Sequence, residues 1–173
     1  INTFIIGDSN ITTGSVSGIM GDNNTMLTDN FSDTPDESFI IGNLNLIRTV
    51  YAVAIGQSNQ IGDDNYGQGG GIAIGSYNIS SSSDAISIGK YINNTSLEGV
   101  TIGKGVNFNN LLNNNIDDSI IFGINSNIPT LAITSASGVG TLGKVGIGTT
   151  TPDYLLTVLG TASTTIQYAN TLF

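Results

Sequence analysis

The sequence predicts an all-β chain wound as a parallel solenoid, and three observations predict it. A phrase of the form apolar-x-apolar-Gly recurs eight times, ending on Gly7, Gly21, Gly42, Gly56, Gly75, Gly89, Gly103 and Gly123. Successive glycines lie 14, 21, 14, 19, 14, 14 and 20 residues apart, so the base period is fourteen with three insertions. A short fixed period marks structural units that stack, each covering the next. The composition is the second observation. Charged residues make up only 10% of the 173 residues, and the polar positions are filled by Asn, Gly, Ser and Thr. These residues lose helix to turns and extended structure because their side chains or their freedom compete with the helical backbone.

The third observation is a period-two alternation before each glycine. The residue preceding the glycine is Ile6, Met20, Ile41, Ile55, Ile74, Ile88, Ile102 or Phe122, and two residues earlier stand Phe4, Gly18, Phe39, Val53, Ile72, Ile86, Val100 and Ile120. Positions two apart share one face of a strand, so nearly all of one face is large and apolar. The other face is small in the middle repeats (Ala52, Ala54, Gly71, Ala73, Ala85, Ser87, Gly99, Thr101) and apolar at the ends (Ile5, Ile19, Ile40, Ile121). On this pattern the large residues fill a core, and the small ones let a second backbone approach. Both faces are expected to be buried.

Each glycine is followed by a turn. Asn10, Asn24, Asn45, Asn59 and Asn78 come three residues on, and Asn93, Asn107 and Asn127 four residues on. Gly and Asn tolerate the positive φ of a tight corner, which makes the eight glycines structural turn residues and the asparagines their partners. Fourteen residues accommodate two strands of about five residues and two corners. Such a flattened coil holds few large apolar side chains, and the second buried face then calls for a partner. Copies of the same chain packed around an axis supply the simplest one, so a homo-oligomer is expected. Eight coils stacked at about 4.8 Å make a rod section of roughly 40 Å.

The organisation predicted from these signals is a repeat region over residues 1–127, a connector over 128–160 and the opening of a further fibre element over 161–173. The insertions are placed around 25–36, 61–70 and 109–118, on the outside of the rod. The third carries Leu111 and Leu112 and is expected to fold against it. In the connector, residues 129–134 read as a strand, 135–143 as a Gly-rich turn, 144–148 as a returning strand, 149–153 as a turn and 154–160 as a strand.

Composition also excludes. The net charge of −9 leaves no basic stripe for nucleic acid, since the only cations are Arg48, Lys90, Lys104 and Lys144. With no Cys and no His, thiol catalysis, Cys/His zinc sites and a Ser-His-Asp triad are ruled out. No run approaches the twenty or so apolar residues of a membrane helix, so no membrane insertion is expected of this segment. The chain starts at Ile1 without Met or signal peptide and reads as a piece of something longer.

Two segments carry a resemblance. Ala52-Val53-Ala54-Ile55-Gly56, Gly71-Ile72-Ala73-Ile74-Gly75 and Ala85-Ile86-Ser87-Ile88-Gly89 resemble the repeats of trimeric autotransporter adhesin heads, and the likeness covers residues 1–127. It implies a left-handed parallel β-roll, an intertwined homotrimer and an attachment role. Residues 145–160, beginning Val145-Gly146-Ile147-Gly148-Thr149-Thr150-Thr151-Pro152, resemble a connector of phage tail fibres and large bacterial surface proteins. In phage proteins this connector often precedes a C-terminal chaperone domain that is removed after trimerisation. The neck and heptad coiled coil that follow autotransporter heads are absent after Gly123, which favours a phage or other surface fibre.

The candidate receptor-binding group is aromatic: Tyr77 and Tyr91, two residues after their glycines in consecutive coils, with Tyr66 on the loop just before. A tyrosine offers a flat apolar face and a hydroxyl to a cell-surface glycan or protein receptor. The competing role is packing, at the trimer seam or over the corner. Lys90 with Lys104, and Asp8 with Asp22, stack like charges and are expected to face water. Asp63-Asp64 and Asp117-Asp118 are the adjacent acid pairs. They lack the spacing of a calcium loop and lie too far apart for glycoside hydrolysis, so no catalytic, metal or cofactor residues are assigned. Gly146-Ile147-Gly148 and Gly138-Val139-Gly140 precede no helix and are not phosphate loops.

The resulting expectation is a non-enzymatic, extracellular fibre segment on a virion or bacterial surface, acting as trimeric shaft or head. The alternatives are the receptor-binding head of a trimeric autotransporter adhesin and a glycan-depolymerising tailspike.

Overall fold

A computed structural model describes residues 3–13, 17–27, 37–62 and 69–161. Two sheets account for all strands among them. The long sheet stacks the strands Phe4–Ile6, Gly18–Asp22, Phe39–Asn43, Ala52–Gln57, Gly71–Ser76, Ile86–Lys90, Val100–Lys104 and Ile120–Ile124 in sequence order, every pair parallel. Between each two of them the chain crosses to a second parallel sheet of shorter strands: Ile11–Thr12, Thr25–Met26, Leu46–Ile47, Gln60–Ile61, Ile79–Ser80, Ile92–Asn94 and Leu112–Asn114. The described residues are therefore all-β, with the alternating sheets of a β-solenoid. The glycines that define the repeat pair in register from Gly21↔Gly42 to Gly103↔Gly123. From Gly18 on, the two strands of a coil are unequal, one of five or six residues and one of two or three, where two of about five were expected.

The interior reverses the expected sense of the long sheet. Ile19, Ile40, Ala52, Ala54, Ala73, Ala85, Ser87, Thr101 and Ile121 are fully buried, whereas Met20, Ile41, Ile74, Ile88 and Phe122, immediately after or beside them, are exposed. The small face thus closes the coil, and the large apolar face points out of it. The bulk inside comes from across the tube, where the short sheet contributes Met26, Ile47, Ile61, Ile92 and Leu112. Space explains the arrangement. A Cβ added at Gly71 would lie 2.7 Å from Cγ2 of Ile61, so that position admits only glycine beside this isoleucine, whereas Ile19 and Ile40 are accommodated inside the earlier coils.

The asparagines that follow the glycines also sit differently from the expectation. The residue just before each takes the positive φ instead: Ser9, Asn23, Leu44, Ser58 and Tyr77 lie between 54° and 57°. The asparagine side chain turns inward and forms a ladder. Nδ2 of Asn45 donates to Oδ1 of Asn24 (3.0 Å) and to the Gly56 carbonyl (2.8 Å), while its Oδ1 accepts from the backbone N–H (3.1 Å) and Nδ2 (3.0 Å) of Asn59. Buried amides must be paired in this way, and the ladder runs from Asn10 to Asn78. It ends there. Ile92 and Leu112 take the next two steps, Asn93 lies outside with Nδ2 on Oδ1 of Asn113 (3.1 Å), and Asn107 and Asn127 are exposed.

The glycine before each corner is required by the close stacking. Gly75 has φ +122°, and a Cβ there would run into the carbonyl of Gly89 in the next strand. The second corner of the coil precedes the long strands, and Glu37, Tyr51, Gly70, Asp84, Glu98 and Asp118 take φ between 52° and 64° there.

The insertion placed around 109–118 is shifted. The extra residues run from Gly105 to Leu111, between Val100–Lys104 and Leu112–Asn114, and Leu112 lies inside the core. The first two insertions fall at the other corner and are largely outside the described residues. At the last coil the ladder changes direction. Leu131–Thr134 pairs antiparallel with Ile120–Ile124, Ala132 closes over Ile92, Leu112 and Ile121, Lys144–Ile147 returns antiparallel, and Leu156–Val158 pairs parallel with it. Of the span 161–173, only residue 161 is among the described residues.

Candidate functional site

Two surfaces follow from this winding. The first is the outward face of the long sheet. Its alternate positions carry Phe4 and Ile6, then Met20, Phe39 and Ile41, Val53 and Ile55, and so on to Ile120 and Phe122, aligned by the parallel register. Gly18 interrupts the column, and the rings of Phe39 and Phe4 close over the gap from either side. A single chain leaves this face substantially open, with Ile74 at 36% and Ile88 at 38% exposure. Contiguous exposed apolar surface of this extent is uncommon on a soluble monomer and marks an interaction site.

The second surface is the corner that follows the glycines. Here the aromatic rings of Tyr77 and Tyr91 stack with centroids 5.4 Å apart and planes 30° from parallel. The stack arises because both occupy the same left-handed corner position in neighbouring coils, tied by hydrogen bonds from the Tyr77 N–H to the Gln57 carbonyl and from the Tyr91 N–H to the Ser76 carbonyl. Lys90 lies with Nζ 4.7 Å from the Tyr91 ring centroid, a cation–π arrangement. Lys104 is the direct register partner of Lys90 and is exposed. The insertion then leaves the same corner: the Gly105 N–H donates to the Lys90 carbonyl and the Leu112 N–H to the Tyr91 carbonyl, so residues 106–110, with Phe108 68% exposed, rise beside the tyrosines. Composition signals pointed to the tyrosines and to the stacked lysines separately; their union with the loop at one corner follows from where the insertion enters. Tyr66 lies outside the described residues.

Among the described residues the acidic candidates form no cluster. Oδ1 of Asp117 accepts the Leu97 N–H at 2.8 Å, Asp118 serves as a left-handed corner residue, and Asp63-Asp64 lies outside the described residues. No group of three metal-capable side chains occurs among the described residues. A shallow depression of about 480 Å³ at the opposite corner is bounded by Tyr51, Ile72, Asp84 and Ile86, with a single carboxylate and no cation. Nothing in that arrangement pairs an acid with a base.

Comparison with known proteins finds no match to a family model, to a curated protein or to a solved structure. The reading of function therefore rests on the two surfaces alone.

Proposed function

We propose that this chain is a structural and adhesive segment of an extracellular fibre, a homotrimer of left-handed β-rolls with fourteen-residue coils on a phage or bacterial surface. The observation that carries the reading is the outward apolar face of the long sheet. Inside the coil the small residues are already covered, so the exposed isoleucine and phenylalanine column has no further role within one chain. Three copies set in parallel around an axis would bring three such faces together as a closed prism. The burial at stake is about 25 cal/mol for each Å² of apolar surface, summed over eight strands. The same stacking gives every coil its neighbour's hydrogen bonds, which makes a stiff rod suited to holding a binding element away from its parent surface. The stacked tyrosines favour the second reading, an adhesin head that touches its receptor itself.

The test is the solution mass of the wild-type chain and of an Ile74→Asp/Ile88→Asp variant at micromolar concentration. The wild type is expected at three times the 17.9 kDa of one chain, and the variant as a single chain that keeps its β circular dichroism. A wild type that sediments as one chain overturns the reading.

A further inference from the structure

The geometry points to a binding platform for a carboxylated saccharide at the corner formed by Tyr77, Tyr91, Lys90 and Lys104. The inference rests on the adhesive half of the proposed function and names the chemistry of the ligand. Charge is the first argument. The chain carries 13 carboxylates against four cations, a balance that repels acidic glycans from the surface in general. Two of the four cations are nevertheless register partners at one corner, where they repel each other, and Lys90 lies over the Tyr91 ring. Paired lysines in an acidic field give the one place where a carboxylated sugar gains both attraction and local selectivity.

Shape is the second argument. A pyranose presents an apolar face of C–H groups that packs on a tyrosine ring, and its hydroxyls and carboxylate reach polar groups at the margin. Tyr77 remains 38% exposed although Tyr91 stacks on it. The preceding step of the same corner column is Ser58, too small to cover its ring. Other steps hold Ser9 and Asn23, with Leu44 as the sole large aliphatic before the tyrosines, so rings at two successive steps answer no demand of the corner itself. The loop 106–110, which leaves this corner after Lys104, adds the exposed Asn109 amide and an exposed Phe108, while the Asn107 oxygen is taken up by the Asn109 N–H and Asn110 Nδ2. Lysine cations, a ring platform and a neighbouring amide are the complement of a uronic or sialic acid residue in a chain of sugars.

Titration calorimetry with hexagalacturonate and with an α2,8-linked sialic acid tetramer tests the platform, using maltohexaose as the neutral control. We expect at least one acidic probe to bind with a Kd of about 1 mM or tighter. Tyr77→Ser/Tyr91→Ser should weaken binding about tenfold, or 1.4 kcal/mol. Lys90→Gln/Lys104→Gln should also weaken it, and about 0.5 M salt should abolish it. Absence of binding by both acidic probes overturns the proposal, as does maltohexaose binding equally well or affinity unchanged in the lysine variant. If the serine variant dissociates the assembly, the lysine variant decides alone, since its surface substitutions leave the coil intact. Solution mass read on the same samples separates the two readings: a trimer that binds no acidic probe sinks the platform only, and a single chain that binds one sinks the fibre only.

Discussion

The two faces of the long sheet carry opposite chemistry from what their sizes imply. The inward face holds Ala54, Ala73 and Ser87, fully buried, while the outward face holds Ile55, Ile74 and Ile88, half-buried or exposed. In a thick domain the larger residues go inside because they gain more from leaving water. In a coil only two strands wide the inside is set by distance, and the short sheet has already filled it with Met26, Ile47 and Ile61. The interior also changes along its length. Up to Asn78 the amides lie at the glycine corner. Beyond it, Ile92 and Leu112 take that side and the amides Asn94 and Asn114 stand at the far side, where Nδ2 of Asn94 reaches the carbonyls of Ile86 (3.0 Å) and Gly99 (2.8 Å). The lesson is that a thin tube keeps a constant need, pairing for the carbonyls at its bends, and meets it from whichever side has an amide.

The contrast between inside and outside can be broken at four points, in falling order of effect. Asn45→Leu removes an amide from the ladder and strands the Gly56 carbonyl and the Asn59 backbone N–H, so a loss of about 2–6 kcal/mol is expected in denaturant unfolding, at about 1–3 for each of the two orphaned groups. A loss below about 1 kcal/mol would mean that the ladder does not hold the corner. Ala73→Leu should cost about 1–3 kcal/mol by overpacking against Ile61, whereas Ile74→Leu next to it should cost well under that. Equal costs at the two positions would erase the distinction between the faces.

A gain is expected at Thr101. Its Oγ1 and the Nδ2 of Asn114 are buried without a hydrogen-bond partner, so Thr101→Val should raise stability by about 1 kcal/mol in the same unfolding assay. A decrease would place an internal water on the Thr101 hydroxyl. The smallest effect belongs to the rim: Lys104→Gln should change folding stability by less than about 0.5 kcal/mol, measured by thermal unfolding.

Much of the winding was legible in the residues. The glycine period gave the register, because a Cβ at those steps collides with the next strand and no other residue type is admissible there. The side of the sheet that faces inward was not legible. Both faces are apolar or small, so alternation alone carries no sign. The asparagines misled for a related reason. Asn suits positive φ, yet here the preceding residue takes that conformation, even when it is Leu44 or Tyr77, and frees the amide to pair inside. Sequence alone places the third insertion around 109–118 rather than 105–111 because asparagines run through both segments, and the decisive signal is Leu112 matching Ile92. At the candidate site the tyrosine stack followed from spacing, while the meeting of Lys90, Lys104 and the loop depended on where that insertion begins.

Because the chain has no cysteine, a single spin label can be placed cleanly on the outward face, at Gln57→Cys on the rim of the isoleucine column. Double electron–electron resonance on the labelled wild-type background then counts and measures the neighbours. The account predicts a modulation depth for three spins and one intermolecular distance of about 20–30 Å, as for apolar faces packed roughly 10 Å apart with label tethers added. A featureless background decay, or a two-spin depth, would contradict it.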